Sequence, residues 1–173
     1  MRNCLIGMAL IAATTGVSPA VAQTEQVRFG NLHSHTSYSD GSRTPAEAYT
    51  MACAQDGIDF FAITEHNHDK GDRKDDILIF NRPDLYRGTP EALVDTANRL
   101  DAPGACVTLF GQEFSTISSG NHVNVFDVAD VIDAPNGRFD LLLNWLAAHP
   151  DFGGAEPLLQ LNHPGTGKKA VKD

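Results

Sequence analysis

The stretch "IDFFAITEHNH", residues 58–68, joins an apolar run that ends at Thr64 to two histidines that follow almost at once. A short continuous apolar run of this kind predicts a strand that is buried on both faces. Such strands are typical of parallel sheets, in which functional side chains gather where the strands end. The stretch therefore predicts an α/β fold with His66 at one edge of a sheet.

On either side of this strand, apolar runs alternate with helical patterns. Further strands are predicted at "VRFGNLH" (27–33), "ACVTLFGQEFS" (105–115), "HVNVFDV" (122–128) and "PLLQLNH" (157–163), and helices at "TPAEAYTMACAQDG" (44–57), "TPEALVDTANRL" (89–100) and "RFDLLLNWLAAH" (138–149). Thr44 and Glu47 form a capping-box pattern in the first helix, which Gly57 closes. The charged segment 65–88 is predicted to be a solvated loop, with a substrate-binding lid as the alternative. The alternation predicts β/α units and a mostly parallel sheet.

Residues 1–22 have the layout of a secretory signal peptide. Arg2 precedes an apolar stretch, and Ala20-Val21-Ala22 forms a small-x-small cleavage site. The apolar stretch is too short to span a bilayer, which disfavours the alternative of an uncleaved anchor or a core helix. We therefore expect a periplasmic or secreted protein whose residues 23–173 form one domain, with no membrane contact after cleavage.

The acidic composition limits the classes of partner. The chain has 13 basic and 22 acidic residues and a formal net charge of −9. This charge disfavours nucleic-acid binding through phosphate contacts, so we expect no nucleic-acid partner. We expect a small-molecule substrate instead, and bound divalent cations would offset part of the charge locally.

Two cysteines remain once Cys4 leaves with the signal peptide. Cys53 lies in a predicted helix, Cys106 opens a predicted strand, and no C-x-x-C motif occurs. A thiolate zinc site or a redox motif therefore has little support. An exported protein could join the two cysteines in a disulfide, but their different elements favour two buried free thiols.

A set of metal-binding side chains stands out in the sequence. In "NLHSHTSYSDG", residues 31–41, two histidines lie two apart, so on an extended chain they address the same side. Several other candidates follow the predicted strands directly. Imidazole suits Zn, Fe and Mn, and a carboxylate can bridge two ions, so the set predicts a polynuclear site. The candidate ligands are His33, His35, Asp40, His66, Glu113, His122 and His163.

Four motifs resemble, in order, those of the polymerase and histidinol phosphatase (PHP) metallohydrolases. They are "NLHSHTSYSDG", "ITEHNH", "GQEFSTISSGNHVNVF" and "QLNHP", and the resemblance spans residues 27–165. It implies a distorted (β/α)7 TIM-like barrel that holds up to three divalent ions of Mn, Zn or Fe. It also implies that a metal-bridging hydroxide cleaves a phosphate ester, without a protein nucleophile.

The resemblance further implies a role for each ligand. His33 and His35 would hold the first ion, which Glu113 would bridge to the second, and His122 and His163 would complete the second ion. Asp40 and His66 would hold the third. Glu65 would orient a ligand or a water molecule, and His68 would either touch the substrate or lie in the solvated loop. Independently of the resemblance, His149 lies at a predicted helix end before Pro150, where an imidazole can interact with terminal carbonyl groups, so we expect it to be structural.

One motif of the family is missing from this chain. The family closes its site with an Asp-x-His, whereas no such tripeptide occurs here and the sequence stops at Asp173. We therefore expect a barrel that is incomplete at its C-terminus, either because the chain is a fragment whose reading frame continues or because it is a natural short form with an open site. The leading hypothesis is a metal-dependent phosphoesterase; the alternatives are a hydrolase of carboxylic ester, amide or carbamate bonds, and a metal-binding but inactive module.

Overall fold

The computed structural model describes residues 25–67, 79, 81–114, 122–135, 137–149 and 157–162. Five strands and four helices lie within these ranges. The strands are β1 (Gly30–Asn31), β2 (Phe60–Asn67), β3 (Val107–Phe114), β4 (His122–Phe126) and β5 (Leu158–Asn162); the helices are α1 (Pro45–Cys53), α2 (Pro83–Tyr86), α3 (Leu93–Leu100) and α4 (Phe139–Ala148). None of these helices has the length and apolar character that a membrane crossing requires.

The five described strands form one sheet in the order β1-β2-β3-β4-β5. β1, β2 and β3 are parallel, whereas β4 is antiparallel to both β3 and β5. Strand β5 therefore runs in the same direction as the first three, and β4 is reversed. The C-terminal ends of β2, β3 and β5 and the N-terminal end of β4 consequently lie at the same end of the sheet, which we call the C-terminal end.

The predicted (β/α)7 barrel is wrong, because the described strands form a single mixed sheet of five. The expectation of a mostly parallel sheet fails at the same place, since two of the four strand pairs are antiparallel. For β3 and β4 the cause is the short connection between Phe114 at the end of β3 and His122 at the start of β4. A parallel crossover needs about a dozen residues or more, so this connection can only turn the chain back.

Helix α1 begins as predicted. The Thr44 hydroxyl accepts a hydrogen bond from the main-chain N–H of Glu47, whose carboxylate accepts one from the N–H of Thr44. The helix ends at Cys53, before the predicted end, and Gly57 follows in a turn with φ of 83°. Glycine adopts this left-handed conformation at no steric cost, so it allows the chain to turn into β2.

The remaining helices differ from the predictions mainly at their ends. Helix α3 begins at Leu93, and Leu93 and Ala97 are buried beside Leu100, on one face as predicted. Helix α2 lies within the segment that was predicted to be a loop. At the end of α4, Nδ1 of His149 lies 2.7 Å from the carbonyl oxygen of Trp145, which confirms the structural role predicted for this histidine.

The two faces of the sheet have opposite character. Successive side chains of a strand point to opposite faces. On one face, Ile63, Phe114 and Val125 belong to the hydrophobic clusters beneath the helices. On the other face, the alternate positions carry polar side chains, including the fully buried Glu113 and Asn124. The sheet thus separates an apolar core from a polar face, which we call the polar face below.

Cys53 and Cys106 form a disulfide, so the prediction of two free thiols is wrong. Their Cα atoms lie 5.6 Å apart. Cys53 ends α1 shortly before β2, and Cys106 directly precedes β3. Because β2 and β3 are paired and parallel from Phe60 and Val107 onward, the residues that precede them lie together at the end of the sheet where these strands begin. A helix end and a strand start therefore meet, which their separate sequence patterns did not indicate.

Candidate metal centre

His33 and His35 leave the end of β1 on either side of a serine that is bonded to β2. The hydroxyl of Ser34 donates to the carbonyl oxygen of Ala62 over 2.7 Å, and the N–H of Thr64 donates to the carbonyl oxygen of Ser34 over 2.9 Å. The chain is therefore held against β2 at the residue between the two histidines. Their Nε2 atoms lie 3.3 Å apart, which confirms that the H-x-H spacing brings both rings to one place.

Three further candidates come from β2, β3 and β4. His66 and Glu113 are partners in the parallel register of β2 and β3, so their side chains leave the same face. His122 is the first residue of β4. Because β4 is reversed, its first residue lies at the same end of the sheet as the last residues of β2 and β3. The reversal of β4 distinguishes this sheet from the predicted barrel, yet it leaves these three candidate ligands close together.

Glu113 lies at the centre of the histidines, and its side chain is 1% exposed. Its Oε1 lies 2.8 Å from Nδ1 of His122 and 3.7 Å from Nε2 of His33. Its Oε2 lies 2.8 Å from Nδ1 of His66 and 3.4 Å from Nε2 of His35. Each oxygen of this one carboxylate therefore faces a different pair of imidazoles.

Asp40 lies at the outer side of the cluster. Its Oδ2 is 3.3 Å from Nε2 of His66, and its Oδ1 is 3.7 Å from Nδ1 of His35, with 39% of its side chain exposed. The loop that carries it turns back tightly at Gly41, where a Cβ atom would lie 2.3 Å from the carbonyl oxygen of His35. Glycine at this position therefore lets the loop bring Asp40 over the histidines.

Among the described residues, three groups of side chains could hold a metal ion, and the ligand atoms of each group lie within 4.8 Å of one another. Two atoms that bind the same ion at about 2.0–2.3 Å each can lie at most about twice that distance apart. The observed spread is close to this limit. The groups share His35, His66 and Glu113, so they are contiguous. They are His33–His35–Glu113, His35–Asp40–His66 and His66–Glu113–His122.

The charges of the cluster are strongly coupled. Burial would raise the pKa of Glu113, but contacts with His122 and His66 hold it well below its usual range, so the carboxylate is ionised. Burial lowers the pKa of His35 to about 4, and the neighbouring His66 adds to the effect, so this imidazole is neutral near pH 7. Burial opposes charge on His66 as well, but Glu113 and Asp40 raise its pKa above the usual value. An anion amid imidazoles is a fitting environment for a cation.

Glu65 takes no direct part in this cluster, because it points to the face opposite His66. It is fully buried, and its carboxylate accepts hydrogen bonds from the N–H and hydroxyl of Thr36 and from the hydroxyl of Ser39. Burial raises the pKa of Glu65, whereas these hydrogen bonds oppose the rise. Ser39 also lies 3.2 Å from Nδ1 of His35. The carboxylate therefore fastens the loop 36–41, which carries Asp40.

Two polar residues beside His33 have contacts that the sequence did not predict: Thr64 was expected only to end a strand, and Asn162 to orient His163 or to begin a turn. Thr64, which is fully buried, places its Oγ1 at 2.8 Å from Nδ1 of His33. Asn162 places its Nδ2 at 3.4 Å from the same nitrogen. The sequence contains a signal for them, since polar residues recur at every second position in "TEH" and "QLN" and so fall on one face.

Six of the predicted site residues are thus brought together around Glu113 or Asp40, and Glu65 lies behind them. His68 and His163 lie outside the described residues. The predicted signal peptide and the residues after Asn162, where an incomplete barrel was expected to break off, also lie outside them. No protein-family model, curated protein or solved structure matches this chain. The support for the candidate metal centre is therefore its geometry.

Proposed function

We propose that this protein is a metal-dependent hydrolase that cleaves a phosphate ester. The proposal combines two observations: the motif resemblance to the PHP metallohydrolases, and the clustering of candidate ligands at the C-terminal end of β2 and β3. The observation that carries it is the position of Glu113. Each oxygen of its buried carboxylate faces two imidazoles, which is the arrangement expected of a ligand shared between two ions.

The donor set fits divalent ions of intermediate softness. Among the described residues it consists of four imidazoles and two carboxylates, without a thiolate. This composition suits Mn, Fe or Zn, and three contiguous groups allow up to three ions. Such ions, when bound, acidify water at neutral pH and stabilise negative charge on the oxygens of a reacting phosphate.

The protein's own residues would position the ions and the substrate. His33 and His35 would present Nε2, since the hydroxyls of Thr64 and Ser39 contact the Nδ1 atoms of their rings and can accept a hydrogen bond from Nδ1–H. Asp40 is the most exposed of the six described ligands, so the side of the cluster at Asp40 is where a substrate would enter. The fully buried Glu65 would keep the loop under Asp40 in place.

We propose export from the cytoplasm as the setting of this activity. The layout of residues 1–22 supports it, and the disulfide between Cys53 and Cys106 agrees with it, because disulfides persist mainly in oxidising compartments. The proposed substrate is a small phosphate ester, and the acidic net charge of −9 favours such a molecule over nucleic acid.

A substrate panel tests the reaction. The metal-free protein is loaded with Mn²⁺ or Zn²⁺ and assayed on p-nitrophenyl phosphates and on p-nitrophenyl carboxylic esters. Metal-dependent release of p-nitrophenol from a phosphate ester is the expected result. Turnover of carboxylic esters alone would shift the proposal to carbonyl chemistry, and silence on every substrate by a metal-loaded protein would indicate a binding module.

A pair of variants separates the site from contaminating activity. Glu113→Gln keeps the size of the side chain but removes the charge shared by the histidines, so it should abolish turnover. Glu91→Gln changes an exposed carboxylate outside the cluster and should leave turnover unchanged. Equal activity of the two variants would mean that the hydrolysis does not come from this centre.

A further inference from the structure

Two buried asparagines of the polar face reach the segment that carries His33. Nδ2 of Asn124, in β4, donates to the carbonyl oxygen of Leu32 over 3.0 Å. Asn162, the last residue of β5, donates from its Nδ2 to Oδ1 of Asn124. β1 lies at the edge of the sheet opposite β5, so these two bonds connect both sides of the polar face.

The main chain fixes which way both amides point. The carbonyl oxygen of Leu32 can only accept a hydrogen bond, so the nitrogen of Asn124 must face it. The oxygen of Asn124 then faces Asn162, which must present its own nitrogen. That nitrogen also contacts the ring of His33, at 3.4 Å from Nδ1; because the Nδ1–H that metal binding through Nε2 requires is directed to Oγ1 of Thr64, this is a packing contact and not a hydrogen bond. The amides therefore form an ordered chain from Leu32 to the ring of His33.

The burial of this amide pair sets it apart from ordinary surface polar residues. Asn124 is fully buried and Asn162 is 5% exposed. Buried amides cost free energy unless they are hydrogen-bonded, so each holds its partner firmly once the bonds are made. Strand β1 is only two residues long and ends before Leu32, and the described hydrogen bonds to β2 resume at Ser34, so the amide of Asn124 supports the segment between them.

We propose that Asn124 and Asn162 are positioning residues for the metal centre, which hold Leu32 and the ring of His33 so that Nε2 faces Glu113. They thereby set the affinity of the ion held by His33, His35 and Glu113. The inference rests on the proposed metal site. It assigns a task to two amides on β4 and β5 that have no direct place among the ligand groups.

The test is a double-mutant cycle on metal affinity. Asn162→Ala should weaken binding of the first Mn²⁺ or Zn²⁺ about tenfold, the effect usual for a residue that orients a metal ligand. In a chain that already carries His33→Ala, the same replacement should leave the affinity of the remaining ion unchanged. Equal weakening in both backgrounds, or no weakening in either, would overturn the proposal.

A control variant excludes a general loss of stability. Tyr86→Phe removes another buried hydrogen bond, from the Tyr86 hydroxyl to the carbonyl oxygen of Val128, away from the cluster. It should lower the urea midpoint of unfolding without changing metal affinity. Asn124→Ala should act like Asn162→Ala; if it does not fold, Asn162→Ala at the edge strand decides alone.

A readout without metal keeps the inference separate from the proposed function. In the metal-free protein, the ring ¹⁵N resonances of His33 should move in Asn162→Ala and stay in place in Tyr86→Phe. If the wild-type chain binds no metal, the proposed function fails, yet these resonances still decide whether the amides position His33. Unmoved His33 resonances in Asn162→Ala would overturn the proposal.

Discussion

Glu113 and His66 occupy paired positions on two parallel strands, and Oε2 of the carboxylate lies 2.8 Å from Nδ1 of the imidazole. The contact is set by the sheet, because residues in register on adjacent strands leave the same face side by side. On the far side of the same carboxylate, Oε1 meets His122 of β4. Three neighbouring strands therefore meet at one charge, and variants of Glu113 should have the largest effects on the site.

Glu113→Ala should reduce both metal content and hydrolysis more than Asp40→Ala. The buried Glu113 belongs to two ligand groups, whereas the partly exposed Asp40 belongs to one. Loss of the shared carboxylate also leaves neighbouring ions with less negative charge between them. Metal content by elemental analysis and turnover should be measured for both variants, and equal residual values would contradict a shared role for Glu113.

Thr64→Val should weaken metal binding about tenfold while the protein remains folded. The replacement keeps the shape of the side chain but removes the hydroxyl that lies 2.8 Å from Nδ1 of His33. Thr108→Val is the matched control, since Thr108 is also buried but donates to the carbonyl oxygen of Ala97, away from the histidines. If the two variants bind metal equally well, Thr64 does not orient His33.

Glu65→Gln should lower the free energy of unfolding by about 2–3 kcal/mol. The amide that replaces one carboxylate oxygen is a donor, and it would face donors of Thr36 or Ser39 in a fully buried place. Glu91→Gln, at an exposed carboxylate, should change stability little. Urea unfolding of the two variants measures the difference, and an unchanged midpoint for Glu65→Gln would show that the loop 36–41 does not depend on this carboxylate.

Replacement of both Cys53 and Cys106 by serine should lower the free energy of unfolding by about 2–4 kcal/mol. The disulfide closes a loop between residues 53 positions apart, so its removal frees the unfolded chain. The metal content of the folded variant should not change, because neither cysteine belongs to a ligand group. A melting temperature that is identical with and without reductant would show that the native protein lacks this bond.

The sequence was sufficient to place most of the ligands. His66 and Glu113 follow apolar runs that form strands in the structure, and His33 and His35 are spaced for one face of an extended chain. These are local signals, and the sheet satisfies them regardless of its overall topology. The capping box of α1 was predicted for the same reason.

The direction of β4 and the pairing of the cysteines were not predicted, for different reasons: the disulfide depends on contacts between distant segments, whereas the direction of β4 follows from the short connection before it. An apolar run such as "HVNVF" does not by itself indicate the direction of the strand that it forms. The connection between β3 and β4 does indicate it, because that connection is too short for a parallel crossover. Thr64 and Asn124 were assigned no role and Asn162 another one, because the alternating pattern shows which face a polar residue occupies but does not identify its contact across the sheet.

Metal content is the measurement that tests the central claim most directly. The mature protein should be purified under mild conditions, supplied with Mn²⁺, Fe²⁺ or Zn²⁺, freed of excess metal and subjected to elemental analysis. The account predicts more than one ion per chain, because the described ligands form three contiguous groups around Glu113 and Asp40. Less than one ion per chain, even after metal has been supplied, would contradict the polynuclear centre on which the proposed hydrolysis depends.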